Sequence, residues 1–294
     1  MTPPPRRRHT WSLSHGRTLA LGERTLVMGI LNVTPDSFSD GGQHPDPAHA
    51  VAAALAMVEA GADLIDIGGE STRPGAAPVD VAGERARVIP VIAALARQVS
   101  VPISIDTTKA LVARAAVEAG ASIVNDISGL RRDAALAAVA ADTGAGLILM
   151  HMRGTPSDMY HHATYGDVVA DLAAELAWSV DTALAAGVPR EALVIDPGIG
   201  FAKHAAQSWE VVAHLDHPAL RQLDLPLMVG ASRKSFLQAA IGERPAQDRD
   251  PASLAVVTVA ALAGAHIVRV HDVAASVQAV RVADMISAAA LRRA

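Results

Sequence analysis

The sequence contains no cysteine. Disulfide staples and thiolate metal sites are thereby excluded, and a reducing, cytoplasmic setting fits. Aromatic residues are also scarce, 3% against 51% hydrophobic residues overall, so a core must be built from Ala, Val, Leu and Ile. Such a composition suits an α/β protein with aliphatic buried strands and alanine-rich helices. There is no excess of basic charge. The net charge is −5, which argues against a general nucleic-acid binder. No uninterrupted apolar run reaches the ~18–20 residues of a membrane span, so no membrane partner is expected. The opening residues 1–8 are rich in proline and arginine and lack the apolar stretch of a secretory signal; residues 1–20 read as a tail, partly disordered.

What is present is a regular alternation. Short apolar segments occupy 26–31, 64–67, 103–105, 122–124, 146–150, 193–195, 227–229 and 267–270. The first, 26–31, is bounded and uncharged, as a buried parallel strand is. Between them run stretches with helical spacing at 48–60, 79–98, 110–119, 134–141, 168–186, 205–215, 253–264 and 274–291. Gly61, Gly120, Gly144, Gly187 and Gly264 follow helical stretches, where a terminating glycine belongs. Eight strand–helix units point to a closed (β/α)8 barrel, a TIM barrel, forming a single domain over 21–294. A doubly wound open sheet is the alternative. The barrel is preferred because polar residues follow nearly every strand, and a barrel gathers all strand ends at one mouth.

Those strand-end loops carry the chemistry. The first reads Asn32-Val33-Thr34-Pro35-Asp36-Ser37-Phe38-Ser39-Asp40-Gly41-Gly42, a polar turn suited to a metal or phosphate. The second holds Asp66-Ile67-Gly68-Gly69-Glu70-Ser71-Thr72-Arg73-Pro74-Gly75, whose Arg73 either meets an anion or is a solvated turn residue. Asp106 is either a helix cap or a site carboxylate, and Asn125 either a turn former or a paired donor and acceptor. His151, with His161 and His162 beyond it, lacks a zinc-ligand spacing and reads as a loop-positioning histidine. Asp196-Pro197-Gly198-Ile199-Gly200-Phe201-Ala202-Lys203 combines a carboxylate, a glycine-shaped turn and an aromatic ring. Ser232 and Lys234 follow the seventh strand. Arg269 and His271 lie two apart at the eighth, facing one way, where this fold often binds phosphate. Together Asp106, Asn125, Asp196 and Lys234 suit a flat heterocycle with a donor-rich edge.

These motifs, in order on successive strand ends, resemble those of the dihydropteroate synthase family of pterin-binding enzymes. The likeness runs from Met28 to the last helix and is most specific at NVTPDSFSDGG, DIGGESTRPG, NDISG, DPGIGFAK, GASRKSF and RVHDV. It implies condensation of (7,8-dihydropterin-6-yl)methyl diphosphate with p-aminobenzoate, releasing pyrophosphate. By that likeness Asp106, Asn125, Asp196 and Lys234 hold the pterin. Arg269 stacks on the ring and, with His271 and Arg73, holds the diphosphate, so that Lys234, Arg269 and His271 form the catalytic set. Asn32 ligates Mg2+ beside the diphosphate oxygens. Phe38, Asp40, Thr72, Arg73, Pro74, Phe201 and Ser232 shape the p-aminobenzoate pocket and its two loops, which substrates are expected to order. A homodimer is also implied, with the apolar helix 277–291 either its interface or an ordinary barrel-packing helix. After Lys203 the chain reads His204-Ala205-Ala206-Gln207-Ser208, where the family usually has Thr first and His-Asn last; altered loop packing is expected there. A corrinoid-partnered methyltransferase barrel, a pterin-binding module without turnover and an inactive paralogue are the competing readings.

Overall fold

The structure is a computed structural model that describes residues 6–34, 47–71 and 77–292. Strands β1 (His9–Ser12) and β2 (Thr18–Leu21) pair antiparallel as a hairpin. The remaining strands are β3 (Leu26–Asn32), β4 (Leu64–Gly68), β5 (Ile103–Asp106), β6 (Ile123–Asp126), β7 (Gly146–Met150), β8 (Leu193–Asp196), β9 (Met228–Val229) and β10 (Ile267–Val270). They form one parallel eight-stranded sheet in the order β8-β7-β6-β5-β4-β3-β10-β9. A parallel bridge between Ile195 and Leu227 joins its two ends. The expected barrel is therefore what forms.

All eight apolar segments mark these strands, with 122–124 and 227–229 beginning one residue early. Five strands run one or two residues further than the apolar runs do, because backbone pairing ignores side-chain polarity. Asp106, Asp126 and Asp196 are thus strand residues, with Asp106 opposite Asn125 and Asp196 opposite Met150. Helices α1 (Pro47–Glu59), α2 (Val81–Leu95), α3 (Ala110–Glu118), α4 (Ala135–Thr143), α5 (Val168–Ala185) and α6 (Ala205–Ala213) occupy expected positions. So do α9 (Asp250–Leu262) and α10 (Val273–Leu291). The short α7 (Pro218–Gln222) and α8 (Gln238–Ile241) were not legible, since a helix of a turn or so shows no period. The helix-ending glycines take left-handed φ, from +66° at Gly144 to +118° at Gly120.

The hairpin corrects the expectation of a tail over 1–20. Its Trp11 is fully buried and packs with Leu13, Leu21, Met28, Ile148 and Val194. Trp11 Nε1 donates to Ala192 O at 2.9 Å, at the start of β8. The hairpin therefore closes the N-terminal end of the barrel, and the interior becomes packed core rather than a pore. It also leaves the opposite end, where the strands finish, as the open mouth.

Helix α10 is long and apolar enough to cross a membrane by length and composition alone, which qualifies the expectation drawn from uninterrupted runs. Its Val273, Val277, Val280 and Ala283 are buried in the barrel core. Its Asp284 accepts from Arg6 at 3.0 Å and from the Thr25 amide at 2.8 Å. In this fold α10 is a barrel helix.

Replacing Trp11 by Ala removes the largest buried side chain of the plug and the bond to Ala192. The expected cost is about 3–5 kcal/mol of stability, read as a lowered denaturant midpoint. A midpoint unchanged from the parent would show that the hairpin does not seal the core.

Candidate active site

The mouth is organised by Arg269 on β10. Its Nε donates to Asp66 Oδ2 at 2.6 Å and its Nη2 to Asp106 Oδ2 at 2.7 Å. Asp66 also accepts from Asn125 Nδ2 at 2.9 Å. One guanidinium thus ties β10 to β4 and β5, and Asp66 extends the tie to β6. Burial pushes the Asp106 carboxyl up; Arg269 opposes the shift, and the surrounding carboxylates reinforce it. Asp66 Oδ1 and Asn125 Oδ1 are buried and find no hydrogen-bond partner among the described residues. Orphaned polar atoms at a site mouth are an unpaid desolvation cost that a polar ligand edge removes.

Asp106 does not cap the helix that follows it. The Ala110 amide at the start of α3 is satisfied instead by Asp133 Oδ2 at 2.8 Å. Nor does Asn125 form the turn after β6. Its neighbour Asp126 does, accepting from the Ser128 and Leu130 amides at 2.8 and 2.6 Å. Both alternatives to a site role are therefore filled by other residues.

Asp196 faces this group from β8. Its Oδ1 accepts from the Gly198 amide at 2.7 Å. Burial pushes its pKa up, countered by Lys234, that amide, Arg269 and Lys203. Lys234 donates to Ile199 O, and its Nζ lies 4.3 Å above the Phe201 ring. Burial pulls Lys234 down to about 8, Asp196 opposing and Arg269 adding to the shift. Gly198 must be glycine: its φ is +64°, and a Cβ there would lie 1.9 Å from His151 O.

At the next loop Ser232 Oγ lies 3.0 Å from His271 Nδ1 and accepts from the His271 amide at 3.2 Å. The seventh and eighth loops are thus joined, with Arg269 alongside. Asn32 ends β3. A Cβ built on Gly68 would sit 3.7 Å from Asp106 Oδ2 and 3.9 Å from Asn32 Oδ1, so the two oxygens face one gap. The structure brings together Asn32, Asp106, Asn125, Asp196, Phe201, Ser232, Lys234, Arg269 and His271. Phe38, Asp40, Thr72, Arg73 and Pro74, and the expected ordering of their loops, lie outside the described residues.

Sequence reasoning gave no role to Asp66, Glu70, Glu84 or Lys203. Lys109 bridges Glu70, on the stem of the second loop, to the buried Glu84 of α2. Lys203 is 1% exposed, an unusual place for a lysine. His151 is buried, with Nε2 at 3.2 Å from Glu175 Oε2; among the described residues no group of three or more His, Asp or Glu is placed to hold a metal ion. The unusual segment after Lys203 starts α6, where Gln207 Oε1 accepts from the His204 amide at 2.7 Å and Tyr160 stacks on the His204 ring.

A barrel whose mouth pairs acidic and amide edges with a half-buried lysine and arginine defines a class: enzymes that grip a flat nitrogen heterocycle. The model of the family described as pterin binding enzyme matches residues 28–271, and the chain belongs to that family. It is 47% identical over 283 residues to the dihydropteroate synthase of Synechocystis sp., covering 96% of this chain and 95% of that one. Among solved structures, the dihydropteroate synthase of Xanthomonas albilineans with 4-aminobenzoic acid superposes with a TM-score of 0.87 at 45% identity, covering 95% and 99% of the two chains. The same enzyme in complex with 7,8-dihydropteroate gives 0.84 at 42% identity, covering 94% and 99%. Within the family this chain stands with the dihydropteroate synthases.

Gly230 tests where the ring lies. A Cβ there would lie 3.6 Å from Asp196 Oδ2 and 3.7 Å from Arg269 Cβ, an ordinary contact at an ordinary backbone angle. Gly230→Ala should leave the melting temperature near the parent value while weakening pterin binding roughly tenfold, because the methyl takes ligand space. Unaltered affinity by calorimetry would place the ring elsewhere.

Proposed function

We propose that this chain is a transferase of folate biosynthesis that makes 7,8-dihydropteroate from (7,8-dihydropterin-6-yl)methyl diphosphate and p-aminobenzoate. The observation that carries this reading is the convergence of Asp106, Asn125, Asp196, Lys234 and Arg269 on one cup. Asp196, in its carboxylate form, accepts two N–H bonds from the aminopyrimidine edge. Asn125 and Asp106 serve the remaining ring edge, and Lys234 donates to the ring carbonyl. Arg269, fixed by its two carboxylates, presents a planar face to the ring and spare donors to the diphosphate. His271 joins it there, held by Ser232, and Arg73 completes the anion contacts. Ser232 and Phe201, with Phe38, Asp40, Thr72, Arg73 and Pro74, shape the p-aminobenzoate pocket.

In the reaction the bond from the exocyclic carbon to oxygen breaks, and its electron pair leaves with pyrophosphate. The amine lone pair forms the new C–N bond, and the amine then sheds a proton. The electron-rich dihydropterin stabilises positive charge on the exocyclic carbon, so the enzyme has two tasks. It stabilises the departing anion through Arg269 and His271, and it places the amine. An aniline nitrogen is neutral at pH 7, so no strong general base is needed.

Mg2+ is part of the proposal. Asn32 Oδ1 and Asp106 Oδ2 are hard oxygen donors facing one gap, which suits this ion. They are too few to form a complete protein cage, so Asn32 would hold the ion together with substrate phosphate oxygens. When bound, the ion supplies divalent charge against the leaving diphosphate. We further propose a cytoplasmic homodimer. Val282, Met285 and Ile286 of α10 and Val259 of α9 are exposed apolar residues on helices that pack together, and such a patch marks an interaction face.

The direct test is pyrophosphate release, expected only when both substrates are present. Excess chelator should suppress it and added Mg2+ restore it. Release from the pterin diphosphate alone would argue for a hydrolase, no release for a binding module, and full turnover in chelator against magnesium. Asp196→Ala should weaken pterin binding more than roughly tenfold, since it removes a charge-assisted bidentate contact worth ~1.5–3 kcal/mol or more. Undiminished affinity by calorimetry would reject the ring assignment.

A further inference from the structure

The turn after β8 is held from all sides by side chains that capture its carbonyls. Lys234 takes Ile199 O, and the Tyr165 hydroxyl donates to Ala202 O at 2.8 Å. The Lys203 ammonium donates to Gly198 O and Phe201 O, each at 3.1 Å, and lies 2.8 Å from His151 Nδ1. Three ammonium donors therefore meet three acceptors inside the protein. That match is what a fully buried cation requires, since an unpaired one is far too costly. The turn needs such a restraint. Gly198, Gly200 and Ala202 all have left-handed φ, +64°, +77° and +48°, and a non-glycine residue in that region is strained.

The imidazole is set to be the third acceptor. Burial and the charge of Lys203 pull His151 down to about 4, so the ring is neutral. Its Nε2 faces Glu175, which Arg153 Nε in turn holds at 2.8 Å. With Nε2–H donating to that carboxylate, Nδ1 carries the lone pair that Lys203 meets. Burial lowers Lys203 itself to about 7, Lys234 adding to the shift and Asp196 and Glu175 opposing it.

We propose that Lys203 is a positioning residue for pterin binding: by clamping Gly198 and Phe201 it fixes the Gly198 amide that orients Asp196 and the Ile199 carbonyl that orients Lys234. The inference rests on the pterin-binding role proposed above for Asp196 and Lys234. It adds a residue that touches no substrate. The groups expected at the diphosphate, Arg269 and His271, are held by Asp66, Asp106 and Ser232 instead and do not depend on this turn.

Calorimetry with 6-hydroxymethylpterin and, separately, with pyrophosphate and Mg2+ distinguishes positioning from general damage. Lys203→Met should weaken pterin binding at least tenfold and leave pyrophosphate binding within about twofold of the parent. Loss of both in proportion, or of neither, would overturn the inference. In a double-mutant cycle with Asp196→Asn, the combined loss should fall short of the product of the single losses, because Lys203 acts through Asp196. Fully multiplicative losses would overturn it as well. If Lys203→Met does not fold, His151→Leu removes one acceptor of the clamp and should weaken pterin binding about fivefold with pyrophosphate binding intact. A parent chain that binds pyrophosphate but no pterin would sink the functional reading itself, and the inference with it.

Discussion

A single guanidinium sets the architecture of the mouth. Arg269 reaches from β10 past β3 to Asp66 on β4 and Asp106 on β5, joining strands that are far apart in sequence. Two buried carboxylates against one cation leave an excess of negative charge on that side. Across the cup the balance is reversed, with Lys234 and Lys203 beside the single carboxylate of Asp196. Three acids and three bases therefore nearly cancel, while their separation leaves one wall acidic and the other basic. A flat heterocycle with donors and acceptors on its edge meets both walls at once.

This balance also explains why the buried charges are tolerated. Each taken alone would titrate to its neutral form or destabilise the fold. Hydrogen bonds to fixed partners offset that cost: Asp196 accepts from the Gly198 amide, Lys203 meets two carbonyls and an imidazole, and Arg269 meets two carboxylates. The partners are mainly backbone groups or residues on strand ends, the most rigid parts of the barrel. Preorganisation of this kind spares substrate binding energy the work of arranging the site.

The fold was legible in the sequence because its signal is local. Short aliphatic segments, alanine-rich spacers and terminating glycines each announce themselves within a few residues, and a barrel only repeats them. Most of the site was legible for a related reason: Asp106, Asn125 and Asp196 stand where apolar runs stop, Lys234 follows in the next loop, and Arg269 shares a strand face with His271. Asp66 escaped because it lies inside a strand, and its value depends on Arg269, 203 positions away. Lys203 escaped because a lysine after a glycine turn reads as solvated; only packing shows it enclosed. The hairpin escaped because its strands are only four residues each, too short to show a period.

One consequence lies in the order in which the polypeptide is made. The first barrel strand begins at Leu26, yet the amide of Thr25 just before it donates to Asp284, and Arg6 reaches the same carboxylate. The plug is likewise incomplete until Ala192 arrives to receive Trp11. Early segments emerging from the ribosome therefore lack partners that the final helix alone supplies. Closure of the cylinder therefore waits for β10 and α10, and aliphatic strand surface stays uncovered until they have been made.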